Sequence, residues 1–206
     1  MRKYMIKTLL KELNQGDSAR RKRAIMAFWQ ILYAVQYDLT AISPELIGAI
    51  PHLINAFKYD VEIRREAEDI LVWYGAASLP ALINTVKEGD RLICGSILTT
   101  LWRESKKTKK LKPLLIPFIP DLLPLLQSGD YYIRAYVVRL LGVIGDKSII
   151  PDLELLNRQI EEEIALMGRD IQYSITEYAS GWTTDIKDSI MAEIKEAVQK
   201  LTNTSE

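Results

Sequence analysis

Pro51-His52-Leu53-Ile54-Asn55-Ala56-Phe57-Lys58-Tyr59-Asp60-Val61-Glu62-Ile63-Arg64-Arg65-Glu66-Ala67-Glu68-Asp69-Ile70-Leu71 reads as one helix, a tight turn and a second helix. Leu53, Ile54 and Phe57 hold helical spacing before the turn. Ile63, Ala67 and Leu71 hold it afterwards, on one stripe. Pro51 belongs in a first helical turn, where its missing N–H costs no hydrogen bond. Asp60 is placed to cap the second helix by accepting from its orphan N–H groups.

The same pattern recurs. Asp17 is followed by Arg20, Arg21, Ala24 and Phe28; Asp90 by Ile93, Cys94, Ile97 and Leu101; Asp130 by Ile133, Arg134, Val137 and Leu141. Successive aspartates are 43, 30 and 40 residues apart, within the range of helical-hairpin repeats. Gly16, Gly89 and Gly129 each precede an Asp and are expected to end the previous helix in a left-handed conformation. Pro51-His-Leu53-Ile54-Asn55 pairs with Pro80-Ala-Leu82-Ile83-Asn84, and Pro120-Asp-Leu122 and Pro151-Asp-Leu153 are shorter echoes.

Asp-x-x-Ile-Arg-x-x-Ala-x-x-x-Leu, a turn and then Pro-x-Leu resembles HEAT repeats. Leu140 to Leu153 is most similar to their short variety, named after phycobilisome lyases. The resemblance spans Asp17 to Leu156. It implies an all-α fold, a right-handed α-solenoid (α-α superhelix) of about five helical hairpins. The chain then reads as a single domain, 1–206. Residues 1–16 form an N-terminal cap helix, 17–157 four repeats, and 158–206 a C-terminal repeat and cap.

Taken in order, 18–37 pairs with 44–58, a helix kinked or split at Pro51. Then 61–74 pairs with 79–88, 91–104 with 113–127, and 131–144 with a helix from Pro151. The four prolines of 113–124 predict an irregular helix. A long helix is expected to about Ala179, a break at Gly181, a last helix from Asp185 and a frayed tail from Thr202. Ser105 to Leu111 is expected to be an exposed, lysine-rich loop.

Composition excludes several classes. Hydrophobic content of 48% with 26% charged residues is that of an ordinary globular chain, and formal net charge is zero. That balance argues against a protein that coats nucleic acid, although Lys/Arg cluster in 1–25 and 103–112. Cys94 stands alone, which fits a reducing, cytoplasmic setting, and neither a secretory signal nor a membrane span is expected.

No catalytic site emerges. The Asp and Arg positions recur at fixed offsets and are expected to form a ladder between units. Cys94 takes the Arg position and reads as a buried small residue. His52 is the one histidine, and no metal-ligand spacing surrounds it. Glu161 to Glu163 reads as a solvated helix face at an N-terminal turn. Trp29 and Trp102, both twelve residues after their Asp, are expected to be partly buried.

The leading reading is a non-enzymatic scaffold that binds a protein or peptide on a concave face lined by second helices. Its candidate contact residues are His52, Asn55, Ala81, Asn84, Asp121 and Asp152. No cofactor, metal or membrane is expected. The resemblance also implies two alternatives, a bilin lyase-like or lyase-chaperone activity and a nucleic-acid-binding HEAT-like protein.

Overall fold

The computed structural model describes residues 2–34, 43–88, 91–108, 110–170 and 179–203. The fold is all-α, with no strand among the described residues. The chain divides into two compact units, Met1–Gly89 and Asp90–Glu206.

The first unit contains α1 (Arg2–Gln15), α2 (Ser18–Ala34), α3 (Pro44–Ile47), α4 (Ile50–Asn55, continued by a 3-10 turn Ala56–Lys58), α5 (Val61–Trp73) and α6 (Leu79–Glu88). α1 packs on α2 and α4, α2 on α5, and α4 on α5 and α6. The predicted stripes supply the core: Ala24 and Phe28 of α2, Leu53 and Ile54 of α4, Ile63, Ala67 and Leu71 of α5, and Leu82 and Ile83 of α6 are all buried. Fully burying one of the Phe, Leu or Ile side chains is worth about 1.5–3 kcal/mol. Ser43 and Pro44 start α3, and Pro51 opens α4 after the Gly48-Ala49 turn, so 44–58 is split there. The buried Tyr74 hydroxyl donates to Leu46 O at 2.9 Å, and burial pushes its pKa up.

The second unit contains α7 (Arg91–Lys107), α8 (Leu111–Leu115), α9 (Ile119–Leu122), α10 (Tyr131–Ile144), α11 (Ile150–Asp170) and α12 (Ala179–Asn203). α10 is central: it packs against α7 on one side and α12 on the other, and α11 packs on α12. Nine of its residues are buried, among them Ile133, Val137 and Leu141 of the stripe. Between Leu111 and Gln127 the prolines segment the helix. Pro117, Pro120 and Pro124 each sit in the first two positions of a new short α or 3-10 turn. There the missing N–H breaks no internal bond.

Several expectations need correction. Gly16 and Gly129 do not have positive φ; Gly75 (56°) and Gly145 (88°) do. Gly16 is required for another reason: a Cβ there would stand 2.4 Å from Glu12 O and 2.7 Å from Arg20 Cβ. α7 runs on to Lys107 and Ser105 and Leu111 are buried, so the lysine-rich stretch is not an exposed loop from Ser105 to Leu111. Lys106 and Lys107 remain exposed because the helix turns them away from Leu101 and Ser105, and Lys110, in the turn before α8, is exposed as well. Gly181 does not break a helix, since α12 already begins at Ala179. Thr202 is still helical, its hydroxyl donating to Val198 O. The Gly89-Asp90 turn, residues 35–37 and the stretch 171–178 lie outside the described residues.

Two outcomes follow. Gly145→Ala is expected to lower stability by about 1–2 kcal/mol, the cost of a Cβ in the left-handed region, whereas Gly129→Ala stays within about 0.5 kcal/mol. Equal urea midpoints for the two would disprove the assignment. Ser105 Oγ is buried with no hydrogen-bond partner among the described residues. Ser105→Ala therefore removes a desolvated hydroxyl and should raise the melting temperature; a drop would show that the hydroxyl is bonded.

Candidate functional site

The capping aspartates set the frame on which the surface residues stand. Asp17 Oδ1 accepts from Arg20 N at 2.8 Å, Asp60 Oδ1 from Ile63 N at 3.1 Å and Asp130 Oδ1 from Tyr132 N at 2.8 Å. The second oxygen of Asp60 accepts from the Ser18 hydroxyl at 3.1 Å, and that of Asp130 meets Arg91 Nε at 2.9 Å. Ser18 and Arg91 each follow the capping position of the preceding repeat by one residue. The Ile63 amide, with Ser18 and the Lys22 ammonium, holds the Asp60 carboxyl below its ordinary range.

Arg21 and Arg134 do not form the expected ladder to these aspartates, and Asp90, the aspartate that follows Arg64, lies outside the described residues. Arg21 lies over the Tyr59 ring, its Cζ 3.9 Å from the centre. Arg134 donates to Ser128 O and pairs with Glu163 at 3.3 Å. Four residues into the helix, a guanidinium starts a full turn beyond the carboxylate it was expected to reach, whereas the residue after the cap is already level with it. Cys94 is buried, as are Ile93 and Ile97 beside it. Trp29 and Trp102 are half-buried, and Trp29 Nε1 donates to Glu66 at 2.6 Å.

Four of the candidate contact residues lie in the first unit. His52 and Asn55, one turn apart on α4, converge on Asn14 at the end of α1. Asn14 Nδ2 donates to Leu10 O at 2.7 Å and lies 2.9 Å from His52 Nδ1. Asn55 Nδ2 donates to Asn14 Oδ1 at 3.4 Å, and the Tyr59 hydroxyl donates to Asn14 O at 3.2 Å. His52 and Asn55 are thus half-buried in a local clasp rather than projecting alone. On α6, Ala81 is half-buried and Asn84 is exposed.

The second unit has a partial counterpart, in which the partner amide lies one turn beyond the position equivalent to Asn55. Asn14 is three residues before Asp17, and Gln127 is three before Asp130. Gln127 Nε2 donates to Gln159 Oε1 on α11 at 2.9 Å. The residue three before Asp60 is Phe57, which is buried. No side-chain amide precedes α6 at the position that bonds Asn55 on α4.

Asp121 and Asp152 are half-buried in the first turns of α9 and α11, where the helix dipole favours a negative charge. Glu161 to Glu163 lie in the middle of α11, not at its N-terminal turn, and they are not one solvated face. Glu163 is half-buried and accepts from the Tyr131 hydroxyl at 2.6 Å, Lys187 Nζ at 3.0 Å and Arg134. Lys187, 2% exposed, thereby neutralises its charge inside the unit. Burial alone would raise the Glu163 carboxyl, and bonds from Tyr131, Lys187 and Arg134 reverse this and hold it below its ordinary range. The sequence carried a signal for this residue: Leu153, Leu156, Ile160 and Glu163 follow one helical stripe, and the first three are buried.

Among the described residues, no group of three or more potential metal ligands converges, and no helix is long and apolar enough to cross a membrane. No family model and no curated protein matches the chain. A crystal structure of an engineered protein from the Northeast Structural Genomics Consortium aligns over 93% of this chain and 80% of its own, at 19% identity and a TM-score of 0.40.

The Glu163 cluster has a calculable pH signature. A carboxyl depressed in the folded state contributes stability above the ordinary glutamate range and loses it as pH falls through the folded value. Glu163→Gln should cost about 2–3 kcal/mol near neutrality, below the usual value for breaking a buried pair because Glu163 is partly exposed. The difference from wild type should shrink progressively below about pH 4.5. Urea titrations across that range test this; a difference independent of pH would mean the carboxylate is not the charged hub.

Proposed function

We propose that the chain is a HEAT-like α-solenoid scaffold without catalytic chemistry that binds a protein or peptide on the surface carrying its second helices. The observation that supports this most is the amide pattern. At two places an amide three residues before a capping Asp bonds an amide on the next second helix, Asn14 to Asn55 and Gln127 to Gln159. Before α6 that position holds Phe57, and Asn84 stands exposed. An amide offers both a donor and an acceptor. On this reading Asn84, beside the small Ala81, receives from a partner what Asn14 supplies to Asn55 within the chain. A peptide backbone or an Asn/Gln side chain has the matching chemistry. The repeated Asp cross-links and buried Pro-x-Leu stripes supply the regular spacing a solenoid requires. His52 and Asn55 flank the surface; Asp121 and Asp152 belong to the equivalent helices of the second unit.

The test is site-specific crosslinking in the native lysate. Benzoylphenylalanine is placed at Asn84 and, as a control, at exposed Gln30 on α2. A discrete protein adduct at 84 but not at 30, competed by unlabelled wild type and weakly competed by Asn84→Ala, is the expected result. Equal adducts at both positions, or none at 84, would remove the assignment. Asn84→Ala should leave stability within about 0.5 kcal/mol, as exposed substitutions do.

A further inference from the structure

The second unit carries a cleft of about 350 Å³ formed across α10 between α7 and α12. Val138, Gly142 and Ala197 form an apolar floor. A Cβ on Gly142 would stand 2.8 Å from that of Ala197, so small residues let α10 and α12 approach closely there. Trp102 of α7 forms one wall. Lys106, one turn on, lies over its ring with Nζ 4.6 Å from the centre, and Arg139 Cζ is 5.9 Å away. Glu193 grips Arg139, accepting from Nε with both oxygens at 2.6 Å. Glu196 and Lys200 complete the α12 wall.

We propose that this cleft binds an acidic segment of a partner protein, seating one apolar side chain against Trp102. A half-buried indole over an apolar floor is the composition of an interface anchor. The charge around it is complementary to an acidic partner. Arg139 and Glu193 neutralise one another, so the charge comes from the α7 side: Lys106 lines the cleft, and beyond it exposed Lys110 and Lys107, the latter sharing Glu104 with Arg103, leave an excess of positive charge. Complementary charge speeds encounter and fixes orientation. Lys106 links the two parts of recognition. Its ammonium rests on the indole in the unbound protein; a partner carboxylate draws it away and opens the ring face to the apolar side chain. A continuous phosphate backbone suits the site less well. Glu196 puts negative charge on the α12 wall, whereas an acidic peptide can keep its carboxylates on the α7 side.

This proposal rests on the second unit alone, so it stands or falls independently of the Asn84 surface. The probe is a fluorescein-labelled peptide with a phenylalanine between short glutamate runs, followed by anisotropy at low salt against the full chain. A peptide with lysines in place of glutamates and a labelled oligothymidylate are run in parallel. Binding of the glutamate peptide alone is expected, weakened about tenfold or more by Trp102→Ala, as for an interface anchor. Lys106→Glu, at an exposed position, should weaken it similarly with helix content unchanged, and Met26→Ala on α2 should have no effect. Failure of the glutamate peptide to bind, or binding indifferent to both cleft variants, would overturn the proposal. Trp102-dependent binding of oligothymidylate in its place would overturn it in favour of a nucleic-acid surface.

Discussion

A two-handed carboxylate sets the register of each unit. One oxygen of Asp60 holds the first turn of its own helix through Ile63 N, and the other holds Ser18 at the start of α2. Asp130 repeats this with Tyr132 N and Arg91. The group that fixes where a helix begins also fixes where it stands against its neighbour. With both ends of that choice settled, the stripes at offsets of three, seven and eleven residues meet without further adjustment. The second partner differs in chemistry, a hydroxyl in one case and a guanidinium in the other. Arg91 compensates for its length by also lying over the Tyr132 ring, 4.3 Å from its centre.

The apolar part of this arrangement was legible because periodicity reports which face of a helix is buried. Phe28, Leu71, Leu101 and Leu141, each eleven residues after its Asp position, are all buried. Polar partners were less legible, because a stripe says which face is exposed but not what stands opposite it. Arg21 and Arg134 were assigned to neighbouring aspartates and found a Tyr ring and Glu163 instead. Glycine was ambiguous for a different reason. Gly16 serves a close approach to Glu12 O and Arg20, while Gly145 serves a left-handed turn, and both uses look alike in sequence.

The candidate surface divides along the same line. That His52, Asn55 and Asn84 leave the buried stripe could be read from Leu53-Ile54 and Leu82-Ile83. That Asn14 closes over His52 and Asn55 could not, since it comes from another helix about forty residues earlier in the chain. Glu163 lay within reach of periodicity, and the run Glu161-Glu162-Glu163 concealed it by suggesting one solvated face. A charged residue on an otherwise apolar stripe requires a partner, and Lys187, Tyr131 and Arg134 fill that role.

Repetition also gives meaning to the places where it lapses. Where Asn14 and Gln127 supply an amide, Phe57 supplies a buried ring. A phenyl group adds apolar burial to the core but offers no hydrogen bond to the following second helix. Stability alone is indifferent to that exchange on the outside: an exposed Asn84 remains hydrated and costs little. Its consequence is for recognition. A surface whose amides are all satisfied internally has little polar specificity left to offer a partner. One whose internal partner is replaced by phenylalanine keeps a donor and an acceptor at a position held in place by the buried Leu82 and Ile83. In the proposed reading, the break in the polar repeat is therefore where selectivity resides, and the unbroken apolar repeat is what holds it rigid.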